Sequence, residues 1–496
     1  MAWRNVPPRI AHSPHPPDSP FTGRLVILTG VAVAALGAIA PVTDDDALTY
    51  VIPQAMRLAE TGVLRVWPDQ LAGMWPQSQQ VLLAWMIRFG ADQLGALSAF
   101  ELLLAVGAIV VLAREALADE QRRGLAIAIA IGAPVAASLA ASAKEDLLVV
   151  AATAGVAACL IRRDRLQTDV LCGVLAGVAA GAKYPGLLVA IGAVIAALAI
   201  PGGRLRRASI IAFVAAATGG LWYALNIARA GNPVAPFVWG APGIDPATLR
   251  EWLGVYGSGQ TPRVIAFVMA PVLMFLEPGR YSAWFNLFNP LVLVAIWGLV
   301  RLVEGNRVVS EHRPLWIMAG VYYVGWFFGL QNARLLWPVA VLLSPIAADV
   351  IAGWRAPVRA LTAACAALLI VIGGMRLVSY AQSPSTFVAR ETIGYADIAW
   401  MNANLDRTKH RVLLDAKEGA LLEIPYLYLD DLYQDVIARD ELRDPVRLLA
   451  ACRREGVTHL FGQADTFAPI AHELRALHTN RASGTAVFEI LRPAVH

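Results

Sequence analysis

Three consecutive carboxylates, Asp44, Asp45 and Asp46, stand in "TDDDALTY" (43–50), directly after the apolar run "LVILTGVAVAALGAIAPV". Adjacent acids repel one another, so at least one carboxyl is expected to titrate high unless a cation offsets it. A carboxylate with raised proton affinity suits general-base work. The plain alternative is a solvated anionic cap that ends the first helix. A second acidic pair, Glu145 and Asp146 in "SAKED", fills a very short turn between two apolar runs. Ordinary negative charge at a helix N-terminus would account for that pair. Facing the triplet across a cavity, it could instead serve an acceptor or an oxygen-liganded divalent cation such as Mg, Mn or Ca.

Two cations lie at the ends of other apolar runs, Lys183 in "GAKYPG" and Arg334 in "QNARLLWP". A charge so close to hydrocarbon either snorkels to the interface or faces a protein or water cavity. Acids and bases gathered on one face suit a ligand with a hydroxyl to activate and a phosphate to bind, and the arginine fork matches phosphate geometry. Histidine adds little: of eight, His312 falls in an inner loop and the rest in the two tails. Cys159, Cys172 and Cys365 fall in apolar runs and Cys452 stands alone in a polar region, so no disulfide framework or CxxC metal site is indicated. No GxGxxG, P-loop or GxSxG occurs.

The elements that must position these groups are membrane helices. The chain has 496 residues, 57% hydrophobic and 16% charged, with a mean hydropathy of +0.55, against roughly 25% charged residues in soluble proteins. About twenty apolar residues make a span. Runs near 25–42, 93–113, 124–142, 145–161, 167–182, 184–200, 207–228, 287–303, 314–330, 334–352 and 357–378 predict a polytopic α-helical membrane protein of about eleven transmembrane helices.

Arginines fix the expected orientation. Arg114, Arg122 and Arg123, then Arg162, Arg163 and Arg165, then Arg204, Arg206 and Arg207, then Arg301, Arg307 and Arg313, and finally Arg355 and Arg359 fall in alternate loops. Positive loops stay inside. The Pro-rich stretch 1–24 is then a disordered cytoplasmic tail, and the triplet, the acidic turn, Lys183 and Arg334 share the outer face. The net charge of +4 is spread over these loops and shows no nucleic-acid surface.

Three outer segments are large: 43–92, 229–286 and the tail from 381. In the first, "PQAMRLAETG" and "QSQQVLLAWMIRFG" read as interfacial helices. In the second, "RVIAFVMAPVLMFL" is short for a span. The tail is a different material, with 29 charged residues in 116 against 49 in the preceding 380. "HRVLLD", "THLFGQ" and "TAVFEIL" predict strands. "DPVRLLAACRREG" predicts a helix with Asp at its N-cap, Pro at N1 and Gly just past its end. The expected organisation is a cytoplasmic tail (1–24), a transmembrane catalytic domain (25–380) and a small extracytoplasmic α/β domain (381–496).

In this order the motifs resemble a known family. "DDDALTYVIP" resembles DxDALxYHxP, "WPQSQQ" resembles FPQxxE, and "SAKEDLLV" a second acidic turn. "GVLAGVAAGAKYPGL" resembles a small-residue helix ending in Lys, "GNPVAPF" (231–237) resembles GNPxYPF, and "ARLLWPVAVLL" an RYLLP segment. The family is the GT-C glycosyltransferases that use polyprenyl-phosphate sugars. Within it the chain is similar to the bacterial branch resembling protein O-mannosyltransferases and aminoarabinose transferases, family 39-like. The likeness is dense over 25–380 and loose in the tail. Two positions depart: Val51 stands where the branch has His, and Gln80 where it has an acid.

The resemblance implies a GT-C fold and inverting sugar transfer at the outer face of a bacterial inner membrane. The donor would be a polyprenyl-phosphate sugar among the membrane lipids, and the acceptor an envelope glycolipid, polysaccharide or protein. It implies catalytic roles for Asp46, Asp45 and Asp44, with Asp46 as the base, and substrate contacts at Tyr50, Gln80, Lys183, Tyr184 and Arg334. Glu145 and Asp146 become the metal or second acidic site. A transporter or flippase of lipid-linked saccharides would use the same charged cavity without reaction, but should carry charges mid-span, where this sequence has few. A catalytically inactive sugar-binding protein is the third reading, supported by Val51 and Gln80.

Overall fold

A computed structural model describes residues 21–491, apart from 163–164, 201–202, 242–243, 245, 258–262, 284–286, 297–311, 355–359, 393 and parts of 361–382. The cytoplasmic-tail expectation therefore falls almost wholly outside the described residues. So do Cys365 and much of the expected spans 287–303 and 357–378.

The apolar part is a bundle of helices with an alanine-rich core. Phe21–Ile39, Gly95–Ala116, Asp146–Ile161, Leu166–Ala182, Tyr184–Ala199 and Arg313–Phe328 fall close to expected spans. Small residues let the backbones meet, as is usual between membrane helices. Leu166–Ala182 packs along Arg204–Gly219, where a Cβ on Gly219 would overlap the Gly177 carbonyl. The turn after Leu166–Ala182 is equally tight, since a Cβ on Gly186 would overlap the Ala179 carbonyl.

Two expected spans are broken. The run 124–142 divides into Glu120–Ile131 and Pro134–Leu139. Pro134 disfavours helical backbone in the residue before it, and Ala133 is extended at φ −143°, ψ 134°. The run 207–228 becomes Arg204–Gly219 and Leu221–Ala230, bent by 64° at Gly220. Among the described residues two helices, Gly95–Ala116 and the stretch Ala333–Ala352, are long and apolar enough to cross a membrane, or three if that bent pair is one span. Five apolar helices are shorter.

Two helices, Ile52–Thr61 and Ser78–Arg88, form where the sequence predicts helices in the first outer segment. The short apolar segment near 263–276 is a 14-residue helix, Arg263–Leu276.

The tail folds as an α/β unit with strands β1 (Val412–Leu414), β2 (Tyr426–Tyr428), β3 (His459–Gln463), β4 (Leu474–Asn480) and β5 (Thr485–Ile490), in the order β2-β1-β3-β5-β4. β1 lies parallel to both β2 and β3, whereas β5 runs antiparallel to β3 and β4. The helix Pro445–Arg454 begins at Asp444, whose carboxylate accepts from the backbone N–H groups of Val446 at 2.9 Å and Arg447 at 3.2 Å.

This unit docks on the acidic-triplet segment through a shared core. Leu48, Val51 and Ile52 are buried together with Ile398, Met401, Val412 and Leu414. Pro53 has no N–H to offer the Thr49 carbonyl four residues earlier, and that carbonyl accepts instead from the Tyr428 hydroxyl at 2.7 Å. The Thr49 hydroxyl in turn donates to the Lys417 carbonyl at 2.6 Å. Backbone bonds from Leu71 to Tyr433 and from Asp435 to Pro68 close the junction.

Candidate active site

The acidic triplet starts a helix. Asp44 caps it: its carboxylate accepts from the Ala47 N–H at 3.1 Å, and its carbonyl accepts from Leu48 at 3.0 Å. The turn Ala47–Val51 is a π-turn, a feature that often marks functional sites. Asp44 and Asp46 share a cation, and Asp45 points away from them. Asp44 turns to Lys144 at 2.7 Å, Asp46 to Lys144 at 3.3 Å and to Arg334, and Asp45 outward to Lys417 at 4.0 Å.

The turn 142–146 supplies Lys144, Glu145 and Asp146 just before the helix Asp146–Ile161. Lys144 is 1% exposed. Lys183 sits between two helices in extended backbone, φ −160° and ψ 151°. That conformation drops its side chain onto Glu145 at 2.9 Å and Asp146 at 3.1 Å. Arg334 lies in the turn Ala333–Leu336, capped by the Asn332 side chain, which accepts from the Arg334 N–H at 3.2 Å. Its guanidinium bridges Asp46 and, at 4.0 Å, Asp146. Four carboxylates and three cations thus form one network drawn from four separate parts of the chain.

The network lies along a cavity of about 1120 Å³, larger than the roughly 300–1,000 Å³ of an ordinary small-molecule site. Asp44, Asp45, Asp46, Tyr50, Lys183 and Arg334 line its polar part; Leu187, Leu188, Val238, Trp239, Leu253 and Phe328 line its apolar part. Lys417 and Tyr433 of the tail close another side. Val238, Trp239 and Phe328 are more than two-thirds exposed, so the apolar wall continues onto the surface.

Of the expected substrate contacts, Tyr50, Gln80, Lys183, Tyr184 and Arg334 all line this cavity. Tyr50 packs edge-on against Trp75, with ring centres 4.5 Å apart. The Tyr184 hydroxyl is already engaged, donating to the Ala235 carbonyl at 2.6 Å and the Met74 carbonyl at 3.1 Å, so Tyr184 offers a ring to the cavity and braces its wall. Gln80 is buried at the wall. Val51 is fully buried in the core under the tail and does not line the cavity, so its departure from His changes packing there.

Two expectations change. The first concerns the base: burial pushes the Asp46 carboxyl up, but Arg334, Lys144 and Lys183 outweigh it and hold the group well below the usual carboxylate range. Asp45 is the member that titrates high, because burial outweighs Lys417 and its acidic neighbours add to the effect. Burial, reinforced by the Asp46 charge, also raises Tyr50. The second concerns Glu145 and Asp146 as metal ligands. Lys183 occupies both carboxylates, and Arg334 stands beside Asp146. Among the described residues no three His, Cys, Asp or Glu side chains gather as a metal set. Lys183 takes Oε1 of Glu145 and both oxygens of Asp146, and of this pair's oxygens only Glu145 Oε2 is buried without a partner, which leaves too few donors for a divalent ion in this arrangement.

Lys144 was not singled out from the sequence. The signal was there: a lysine directly before two acids in a turn too short to carry it away from them.

The fold is of the GT-C type. The comparisons that place it are structural. The crystal structure of ArnT from Cupriavidus metallidurans bound to undecaprenyl phosphate superposes with a TM-score of 0.61 at 15% identity, over 95% of this chain and 99% of that one. The Archaeoglobus fulgidus oligosaccharyltransferase, tethered to an acceptor peptide containing the NVT sequon, gives 0.56 at 13% identity, over 95% of this chain and 75% of that one. The same enzyme in complex with Zn and sulfate gives 0.54 at 13% identity, over 95% and 73%. Residues 21–175 match a family model described as the DUF1420 N-terminal domain. No curated protein matches by sequence.

Proposed function

We propose that the protein is an inverting glycosyltransferase that moves a sugar from a polyprenyl-phosphate donor to an acceptor hydroxyl. The observation that carries this is the meeting of Asp46, Lys183 and Arg334 on one cavity with an apolar wall that reaches the surface. The donor's chain lies along that wall and its phosphate meets Lys183 and Arg334. Two cations in a buried site act strongly on developing phosphate charge.

The phosphate competes with Asp46 for Arg334. As Arg334 turns to the phosphate, Asp46 loses a counter-charge and gains proton affinity beside the acceptor. The acceptor oxygen forms its bond to the anomeric carbon while the bond from that carbon to the phosphate oxygen breaks. The hydroxyl proton passes to Asp46, and polyprenyl phosphate leaves with the bonding pair. Attack opposite the leaving phosphate inverts the configuration. Asp45 and Asp44 flank the base, and Tyr50 and Gln80 shape the sugar pocket. Both structural neighbours suit this reading: one holds undecaprenyl phosphate, the other an acceptor peptide.

In this proposal the tail unit lies on the extracytoplasmic face of an inner membrane, and the acceptor is an envelope glycolipid, polysaccharide or protein. The test is purified protein in lipid nanodiscs with radiolabelled polyprenyl-phosphate sugars and an extract of the source cell envelope. Transfer of label into the extract, with release of polyprenyl phosphate, is expected. Donor that binds and returns unchanged would contradict it and favour a carrier.

A further inference from the structure

Lys144 stands apart from the other cations of the network. Lys183 and Arg334 line the cavity, whereas Lys144 is absent from its described lining and is almost wholly enclosed. Its ammonium reaches Asp44 at 2.7 Å and Asp46 at 3.3 Å. Asp44 is itself fixed, because its other oxygen caps the helix through the Ala47 N–H. Lys144 therefore joins the cap of the helix to the carboxylate two residues further on. Both Lys144 and Arg334 approach the same oxygen of Asp46, Oδ2. Among the described residues Oδ1 accepts no hydrogen bond from the protein.

Resting on the assignment of Asp46 as the base, we propose that Lys144 is a positioning residue: it anchors Oδ2, leaves Oδ1 for the acceptor proton, and stays in place when Arg334 moves to the donor phosphate. The enclosure of Lys144 supports this. A cation without access to the cavity cannot follow the phosphate. Arg334 can, so the two cations divide the work, one binding the donor and the other keeping the base ionised and aimed.

The groups that face Asp46 come from every element around it. Asp44, Asp45 and Tyr50 lie on its own helix, Lys144 in the turn 142–146, Lys183 between two helices, Arg334 in the turn 333–336, and Tyr433 on the tail. Lys144 is among the charges that lower the Asp46 carboxyl. Its removal should raise that carboxyl, moving the acid limb of kcat to higher pH.

The experiment uses the full chain in nanodiscs with the labelled polyprenyl-phosphate sugar. Lys144→Met should lower kcat by about 10- to 100-fold, in line with the cost of a misplaced reacting group. It should leave KM for the donor within about twofold and shift the acid limb to higher pH. Lys144→Arg should return most of the limb toward its original position. If the single variant does not fold, the pair Lys144→Met with Asp44→Asn removes the orphaned acid and should keep the lowered kcat. An unmoved limb in Lys144→Met, or full activity in the double variant, would overturn the proposal by leaving Lys144 only a counter-ion for Asp44. Asp46→Asn run alongside separates the two failures: if it is fully active, the base assignment is wrong, whereas if it is inactive beside normal Lys144 variants, only the role of Lys144 is wrong.

Discussion

Arg334 donates a hydrogen bond to Asp46 across 288 positions of sequence. The proposed phosphate ligand and the proposed base are thus paired with each other before any substrate arrives. The pairing makes donor binding and base activation parts of one event, since a phosphate that draws off Arg334 also frees Asp46.

Replacing Arg334 tests that link. Arg334→Ala removes a charge-assisted partner from the phosphate, worth about 1.5–3 kcal/mol, so kcat/KM for the donor should fall by about 10- to 100-fold. Arg334→Lys should recover only part, because a planar fork becomes a point charge. A titration of donor binding and rate in the two variants decides it; wild-type kinetics in Arg334→Ala would remove the phosphate role.

Gly186 tests how Lys183 is placed. A Cβ there would overlap the Ala179 carbonyl, in the turn that points Lys183 at Glu145 and Asp146. Gly186→Ala should cost about 1–3 kcal/mol through overpacking and should raise KM for the donor more than it lowers kcat. Thermal unfolding in nanodiscs and donor titration check both, and an unchanged KM would separate this turn from the site.

Much of this was legible in the sequence, because each signal was local. Asp444, Pro445 and Gly456 bound a tail helix through rules that act within one turn, and Gly456 takes the positive φ of +69° that a helix end asks for. The strands β2 and β4 escaped notice, β4 because its exposure does not alternate and a bulge interrupts it at Ala476–His478. In the site, the residue types were readable but the pairings were not. Nothing local says that Arg334 meets Asp46 or that Lys183 claims Glu145 and Asp146. Which carboxyl would rise was hidden for the same reason, since the cations that hold Asp46 low arrive from distant segments and leave Asp45 the raised one.

Glu418 gives a pH test outside the membrane region. Burial, and next to it the Asp45 charge, push its carboxyl up to about 7. The folded protein then keeps a proton that the unfolded chain releases near pH 4.5, so this group makes stability fall as pH rises from about 4.5 to 7, with the full penalty above that. Glu418→Gln should therefore match the wild type at pH 4.5 and melt a few degrees higher at pH 8. Melting curves at the two pH values read the difference; equal melting at pH 8 would contradict it.

Orientation can be read by labelling. Lys409 in the tail and Arg162 at the opposite end of the bundle are both well exposed. The natural cysteines among the described residues, Cys159, Cys172 and Cys452, are buried. An impermeant maleimide applied to intact spheroplasts should label Lys409→Cys and spare Arg162→Cys until the membrane is opened. The reverse pattern would put the cavity on the cytoplasmic face.

The most direct measurement is sugar transfer by purified Asp46→Asn, beside Asp45→Asn and Asp44→Asn, with a radiolabelled polyprenyl-phosphate sugar. The amide keeps the shape of the side chain and removes the base, and loss of a general base typically costs 10²–10⁴-fold in rate. The account predicts a loss of that size in Asp46→Asn with donor binding retained, and smaller losses in the other two. Full activity in Asp46→Asn would contradict it.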